Sequence, residues 1–242
     1  DALPILRILH NQASTDELRI LLDAEDAHSL VSRLEGADYA VVPKSRKPAN
    51  LRPGEGEIYF HNFSRKAAIT DLPPGVQPFD RMGDEGYVLV AQGVPTKGLR
   101  IVVGANTPEG LFRGGQVVER LLIEVESGRR RSHLEPVVVW DYPDHPRRGA
   151  YPSWRPMSAN WSSIPEKTLD MLDSLARSGA NSVDWIAHWS SQEEYSWQKT
   201  GARAAALVQI EAGRRFMDVN YFMGASYVGY GTKGPPEVEV AQ

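Results

Sequence analysis

In this sequence of 242 residues, the strongest candidates for ligand binding are two adjacent arginines, Arg147 and Arg148. They lie in the stretch DYPDHPRRGAYPSW, residues 141–154, between prolines and directly before a glycine. A guanidinium presents planar, directional hydrogen-bond donors that suit the oxygens of a bound ligand. The same group can form a structural salt bridge, here with Asp141 or Asp144, or remain solvated. In an extended chain the two arginines point to opposite faces, so only one of them faces a given ligand.

The other patterns that could support catalysis are weak. Glu193 and Glu194 are adjacent carboxylates, whereas the carboxylate pairs of glycosidases usually come from different elements. No serine has the glycine context of a hydrolase nucleophile, and no cysteine is present to act as a thiol nucleophile or metal ligand. No spacing of His, Asp and Glu is typical of a metal site, and no phosphate-binding loop is present. The sequence therefore predicts neither a metal nor a cofactor.

The composition excludes several classes of partner. Hydrophobic residues make up 41% and charged residues 24% of the chain, as in ordinary globular proteins. The formal net charge of −4 provides no basic field, so we predict no nucleic-acid partner. No window approaches the ~18 consecutive apolar residues of a membrane span, and the start DALPILRILH lacks the pattern of a signal peptide. The absence of cysteine is compatible with either side of a membrane and leaves the compartment open.

The first half of the sequence predicts a small α+β domain. Residues 25–35 and the segment after Thr107 have apolar positions at helical spacing. Short runs typical of strands occupy residues 39–42, 57–63, 86–92 and 99–104, with a turn that makes the last two an antiparallel hairpin. Gly114 and Gly115 within the second helix indicate close packing against a neighbour, because glycine otherwise destabilises a helix. We therefore expect residues 1–136 to form a mixed or antiparallel sheet with helices on one face.

After residue 136 the pattern changes to alternating strands and helices. The predicted order is a strand at 137–140, a helix from the capping box at 163–166, a strand at 181–187, a helix at 202–215 and a strand from Val219. Strands that alternate with helices in this way pair in parallel.

Two segments resemble the glycoside hydrolase family 20 β-N-acetylhexosaminidases. The segment LRIVVGANTPEGLFRGGQVVERLL resembles the last strand and helix of the family's leading domain, through Gly104, Thr107, Pro108, Gly110, Gly115, Gln116, Leu121 and Leu122. The segment WDYPDHPRRGA resembles the D-x-P-x-x-x-x-R-G start of the family's barrel, through Asp141, Pro143, Arg148 and Gly149. At the second barrel strand Asn181 and Trp185 match, whereas Asp184 and Ile186 stand where the family has histidines. Similar leading domains occur in O-GlcNAcase-like and α-glucuronidase-like families.

The resemblance implies an α+β leading domain, residues 1–136, followed by the first part of a (β/α)8 TIM barrel, residues 137–242. It implies a hydrolase of carbohydrate, possible substrates being β-N-acetylhexosaminides cleaved with retention by the substrate's own acetamide. About 105 residues follow Val137, whereas a complete barrel needs about 250. We therefore expect a truncated chain that is inactive alone, with the catalytic acid pair beyond Gln242. The alternatives are a non-catalytic carbohydrate- or partner-binding module and an O-GlcNAcase-like or α-glucuronidase-like barrel hydrolase.

The resemblance also implies which residues bind the sugar. It assigns the role of paired donor to sugar hydroxyls to Arg148, and the preceding arginine becomes its outward neighbour. Asp184, Trp185 and His188 are expected near the carboxyl end of the second barrel strand, where barrel active sites form. Asp184 would accept hydrogen bonds from the sugar, while Trp185 and Trp154 would provide aromatic surface for a pyranose ring. The alternative is a buried carboxylate paired with arginine and an aromatic core.

The partner predicted by this resemblance is a carbohydrate ligand. Three barrel strands cannot close on themselves, so their exposed edges need a cover. We expect a homo-oligomer, or other residues of the same polypeptide, to cover these barrel edges. The glycosidase resemblance favours an extracellular or periplasmic location.

Overall fold

The structure of the protein is a computed structural model. It describes residues 5–10, 19–22, 27–42, 55–65, 72–94, 98–124, 129–130, 136–150, 164–187 and 202–223. The chain divides into two compact units, Asp1–Pro146 and Arg147–Gln242. Within the described residues no helix has the length and apolar character needed to cross a membrane.

The described residues of the first unit form a six-stranded sheet, three helices and a small two-stranded hairpin. Its elements are β1 Ile5–His10, α1 Arg19–Leu22, α2 Leu30–Gly36, β2 Ala40–Val42, β3 Glu55–Asn62, β4 Tyr87–Val94, β5 Gly98–Ala105, α3 Pro108–Leu122, β6 Ile123–Glu124, β7 Arg129–Arg130 and β8 Val137–Asp141. The six-stranded sheet has the order β2-β1-β3-β5-β4-β8, and β6 pairs with β7.

The six-stranded sheet is mixed, as the sequence predicted. Strands β2, β1, β3 and β5 pair in parallel, whereas β4 pairs antiparallel with β5 and with β8. The predicted hairpin is confirmed and runs from Tyr87 opposite Ala105 to Val94 opposite Gly98. Strand β1 was not predicted, because the sequence alone does not show that this terminal segment pairs between two other strands.

Helix α3 packs closely against one face of the sheet. Thr107 caps its first turn, accepting a hydrogen bond from the Gly110 amide at 3.1 Å, as predicted. A Cβ atom on Gly114 would lie 2.3 Å from Val103 Cγ1, and one on Gly115 would lie 2.9 Å from Leu21 Cδ2. The expected close approach at these two glycines is therefore confirmed. A hydrophobic core also forms between the strands and the segment 72–86. Its buried members are Leu9, Tyr59, Val76, Met82, Val88, Val90 and Val102.

His61 makes the stability of the first unit depend on pH. Its ring lies 5.2 Å from Phe63 and 5.8 Å from Tyr59, centroid to centroid, and burial lowers its pKa from the ordinary 6.5. The unfolded chain then takes up a proton more readily than the folded one, so stability should fall as pH drops from 6.5 through the lower folded pKa. Urea unfolding at several pH values should show a smaller pH dependence for His61→Gln than for the parent. His28→Gln, outside the sheet, is the control; equal slopes for the parent and His61→Gln would contradict the prediction.

The second unit alternates strands and helices, as predicted. Its elements are β9 Gly149–Ala150, α4 Ile164–Arg177, β10 Ser182–Ala187, α5 Ala202–Arg214 and β11 Asp218–Met223. The three strands are parallel in the order β11-β10-β9, which confirms the predicted pairing. Helices α4 and α5 pack on each other, and α5 also packs on β10 and β11. Gly179 has the positive φ of 86° that ends α4, in agreement with its predicted role.

The boundary between the units follows Pro146, whereas the sequence placed it after residue 136. Strand β8, assigned from the sequence to the second half, pairs with β4 in the first unit. The hydroxyl of Tyr87 donates to Asp141 Oδ2 at 2.8 Å and ties the end of β8 to that sheet. Burial, followed by this hydrogen bond to Asp141, raises the pKa of Tyr87, so it remains a donor.

Candidate functional site

A pocket opens on one face of the three-stranded sheet of the second unit. Its volume is about 570 Å³, within the range of small-molecule sites. The residues that line it are Arg147, Gly149, Ser182, Asp184, Asn220 and Tyr221. All six belong to the second unit.

Strand register brings the polar residues of the pocket together. Ser182 pairs with Gly149 of β9, and Asp184 pairs with Asn220 of β11. Because alternate residues of a strand share a face, Ser182 and Asp184 point to the same side. Val183 between them is fully buried, on the face that the helices cover. The alternation of polar and apolar residues on β10 therefore produces one polar face.

The carboxylate of Asp184 is held in place by its neighbour on β11. Asn220 Nδ2 donates a hydrogen bond of 2.8 Å to Asp184 Oδ1. This contact engages one carboxylate oxygen, and a carboxylate has acceptor capacity for several hydrogen bonds. Arg147 lines the same pocket with its side chain exposed, and it forms no hydrogen bond or ion pair with the other described residues. The pocket thus combines an oriented acceptor with a cationic donor.

Ser182 places a hydroxyl group within the lining of the pocket. It is 1% exposed, and within the described part of the chain its Oγ has no hydrogen-bond partner. A Cβ atom on Gly149 would lie 2.7 Å from this Oγ, so glycine is what leaves space for the hydroxyl. A buried hydroxyl without a partner costs about 1–3 kcal/mol, which a bound polar group would recover.

Tyr221 is fixed beside this polar face. Its hydroxyl donates to the Ala205 carbonyl oxygen at 3.0 Å and lies 3.2 Å from Gln209 Oε1, both on α5. Partial burial raises the pKa of Tyr221 above its ordinary value, so the hydroxyl stays protonated at neutral pH. Because Tyr221 directly follows Asn220 on β11, its side chain points to the face opposite that of Asn220, towards α5.

Arg148, the predicted sugar-binding arginine, contacts Gly179 and Asn181. Its Nε donates to the Gly179 carbonyl oxygen at 2.8 Å, and its amide donates to Asn181 Oδ1 at 2.8 Å. Both partners lie between α4 and β10. Arg147 lies just before β9 and lines the pocket. Arg147 and not Arg148 therefore lines this pocket, and the sugar-binding role of Arg148 stays a prediction.

The other predicted site residues have different outcomes. Asp184 lines the pocket, and its role in binding a sugar stays a prediction. Trp185 lies on β10 opposite Tyr221, and only its backbone is described. Trp154 and His188 lie outside the described residues. Within the described ranges no group of three or more His, Asp and Glu side chains is placed to hold a metal ion.

Sequence reasoning missed Arg147, Ser182 and Asn220 as pocket residues. Two of these have a recognisable signal, because Ser182 is two residues from Asp184 and Asn220 is two residues after Asp218. Such alternation predicts a shared strand face but not which strands become neighbours. The pairing of Asp184 with Asn220 depends on the register of β10 and β11.

Comparisons with known proteins give a fold. No protein-family model matches the chain, and no curated protein matches it. Among solved structures, a mutant β-hexosaminidase of Streptomyces plicatus in complex with its product GlcNAc matches with a TM-score of 0.54 and 18% identity. The match covers 88% of this chain and 40% of that one. The chain has the fold of part of a family 20 β-hexosaminidase. The resemblance drawn from the two sequence segments is confirmed at the level of fold.

Two further structures share this hexosaminidase-like fold. An inactive mutant of the family 20 exo-β-N-acetylglucosaminidase of Vibrio harveyi has a TM-score of 0.51 and 10% identity, over 90% of this chain and 32% of that one. The protein CpGH84B has a TM-score of 0.50 and 15% identity, over 93% of this chain and 35% of that one. The chain therefore spans less than half the length of the hexosaminidase-like structures it matches.

Proposed function

We propose that the second unit binds carbohydrate in the pocket, as part of a glycoside hydrolase-like protein. The observation that carries the proposal is the oriented Asp184–Asn220 pair beside the exposed guanidinium of Arg147. Sugar hydroxyls both donate and accept hydrogen bonds, so a sugar needs acceptors and donors side by side. Asp184 supplies the acceptor, and the planar fork of Arg147 supplies paired donors for neighbouring oxygens.

One further feature supports a sugar over a simple anion or cation. The buried hydroxyl of Ser182 provides a neutral group that can donate or accept, which suits a hydroxyl or an acetamide. Because Asn220 already holds Asp184, binding costs little side-chain entropy at this carboxylate.

N-acetylglucosamine is the ligand that we propose to test first. The Streptomyces plicatus hexosaminidase with the matching fold holds GlcNAc, and the pocket offers polar groups of the kinds that this sugar needs. This chain spans 40% of the length of that hexosaminidase. For the described pocket we propose binding as the activity. Hydrolysis of β-N-acetylhexosaminides is proposed for a longer protein with a complete barrel.

Single substitutions of Arg147, Arg148 and Asp184 test the site. We expect Arg147→Ala and Asp184→Asn each to weaken binding of GlcNAc by about tenfold, because each removes a hydrogen bond to the ligand with charged character. Arg148→Ala should leave the affinity unchanged and lower the unfolding temperature of the second unit, because it removes the contact with Gly179. Ligand titrations followed by NMR chemical shifts, with thermal unfolding in parallel, measure both quantities.

The outcomes separate the two assignments of the arginines. Unchanged affinity in both Arg147→Ala and Asp184→Asn would contradict the proposed pocket. Loss of affinity in Arg148→Ala alone, with the fold intact, would restore the assignment made from the sequence. Glucose, which lacks the acetamide, is a suitable second ligand to separate recognition of hydroxyls from recognition of the N-acetyl group.

A further inference from the structure

Strand β8 is an apolar edge of the first unit. It ends the strand order of the six-stranded sheet, so among the described strands one of its two edges has no partner. Val138 is 49% and Trp140 59% exposed, whereas β3 and β4 consist mainly of buried residues. Exposed apolar edges of this kind are templates for pairing with another strand.

Within β8 this edge lacks two of the features that usually prevent such pairing, which are basic side chains and proline. The strand VVVWD contains no lysine or arginine, and no proline interrupts it. Pro136 and Pro143 stand on either side and limit the free segment to a short stretch centred on Val139. The edge is therefore short and defined in length, and no other described strand pairs with it.

The two exposed side chains lie on one face and are held in position. Val138 pairs with Val90, and Trp140 pairs with Val88. Because Val88 and Val90 belong to the hydrophobic core, Val138 and Trp140 continue its apolar surface to the edge of the sheet. The indole Nε1 of Trp140 donates to the Gly75 carbonyl oxygen at 3.3 Å, which fixes the ring. A partner strand would complete this row without rearrangement of the side chains.

We propose that β8 pairs antiparallel with β8 of a second copy of this chain, centred on Val139. In this register Val138 of each copy lies opposite Trp140 of the other, a pairing of aromatic and β-branched side chains that stabilises sheets. Each Asp141 lies opposite Val137, so the two carboxylates are kept apart. The strand is self-complementary in this register, and each of its exposed apolar side chains gains an apolar neighbour.

The size of the edge sets the strength of the dimer. A strand of five residues provides far less than the ~800 Å² per partner of a standard interface. The expected dimer is therefore weak and depends on protein concentration. Detection needs a method that traps or weighs the dimer at equilibrium.

Single cysteines in the full chain test the register, because the chain contains no cysteine. At the centre of the pairing the two copies of residue 139 lie about 4.5–5.5 Å apart between Cα atoms, which suits a disulfide. The two copies of residue 137 are offset by four residues along the strands, about 13 Å, which is beyond disulfide reach. Under oxidised glutathione, Val139→Cys should form a disulfide-linked dimer at least about tenfold faster than Val137→Cys.

Charge exchange provides a second test that does not depend on oxidation. Val138→Lys with Trp140→Lys should lower the association constant at least about tenfold, because lysines then face lysines across the interface. Val138→Lys with Trp140→Asp should restore association, since each introduced lysine then faces an aspartate. Ile210→Lys, at another exposed apolar residue, is the control and should leave association unchanged. Sedimentation velocity across a range of concentrations measures association, and circular dichroism verifies the fold.

Each result supports or overturns the proposal. Preferential cross-linking through residue 139 and recovery in the lysine–aspartate variant support it. A parent chain that stays monomeric at every concentration overturns it, as do equal cross-linking rates for the two cysteine variants. A dimer that the double lysine variant leaves intact places the interface elsewhere. If the double lysine variant does not fold, the cysteine comparison alone decides.

Discussion

Arg215→Ala is expected to lower the free energy of unfolding of the second unit by about 3 kcal/mol. Arg215 follows α5 and is fully buried. Its Nη1 donates to the carbonyl oxygen of Glu211 at 2.9 Å and to Glu211 Oε2 at 3.0 Å. Its Nε lies 3.7 Å from Asp173 Oδ1 on α4. One guanidinium therefore joins the carboxylates of both helices that cover the parallel sheet.

Removal of this cation leaves the negative charges of two buried carboxylates less well neutralised. Asp173 is 4% and Glu211 7% exposed, so water cannot replace the lost partner well. Arg177 remains 3.3 Å from Asp173, and Arg214 remains 2.6 Å from Glu211. These remaining pairs keep the expected loss at the lower end of the range for breaking a buried ion pair.

Arg214→Ala is the matched control for this prediction. Arg214 is the preceding residue and bonds the same glutamate, but its side chain is 37% exposed. A solvent-exposed ion pair of this kind contributes at most about 1 kcal/mol. Urea unfolding followed by circular dichroism should show a much larger loss for Arg215→Ala than for Arg214→Ala. Equal losses in the two variants would refute the importance assigned to burial.

Gly114→Ala is expected to destabilise the first unit by about 2 kcal/mol. Alanine would favour the isolated helix by about 1 kcal/mol. In the folded protein, however, the added Cβ would lie 2.3 Å from Val103 Cγ1 and 3.2 Å from Tyr87 Cδ2. Both neighbours are buried in the sheet beneath α3, so they cannot move into solvent. The overlap outweighs the gain in helix propensity.

Gly36→Ala is the control for the Gly114 prediction. Gly36 ends α2, and no heavy atom lies within 4 Å of the position that its Cβ would take. Its φ is not positive, so alanine should be neutral or add up to about 1 kcal/mol to the free energy of unfolding. Val103→Ala combined with Gly114→Ala should cost less than the sum of the single changes, since it creates space for the new methyl group. Strict additivity in thermal or urea unfolding would contradict the proposed clash.

Local signals in the sequence predicted most helices and strands, because capping and periodicity act over a few residues. Thr107 and Pro108 begin α3 as expected, and Gly179 ends α4. Strand β1 and the pairing of β8 with β4 were not foreseen. Both depend on contacts between distant segments, which local propensity does not specify.

The candidate site divides in the same way. The sequence by itself determined that Asp184 lies on a strand between helices and that an arginine pair precedes Gly149. Only the tertiary structure decided which arginine lines the pocket, because the pocket forms where Gly149 pairs with Ser182 and Asp184 pairs with Asn220. It also decided that Asn220, 36 residues along the chain, holds Asp184 in place. The physical reason is that side-chain type is local, whereas the alignment of parallel strands is set by the packing of the helices between them.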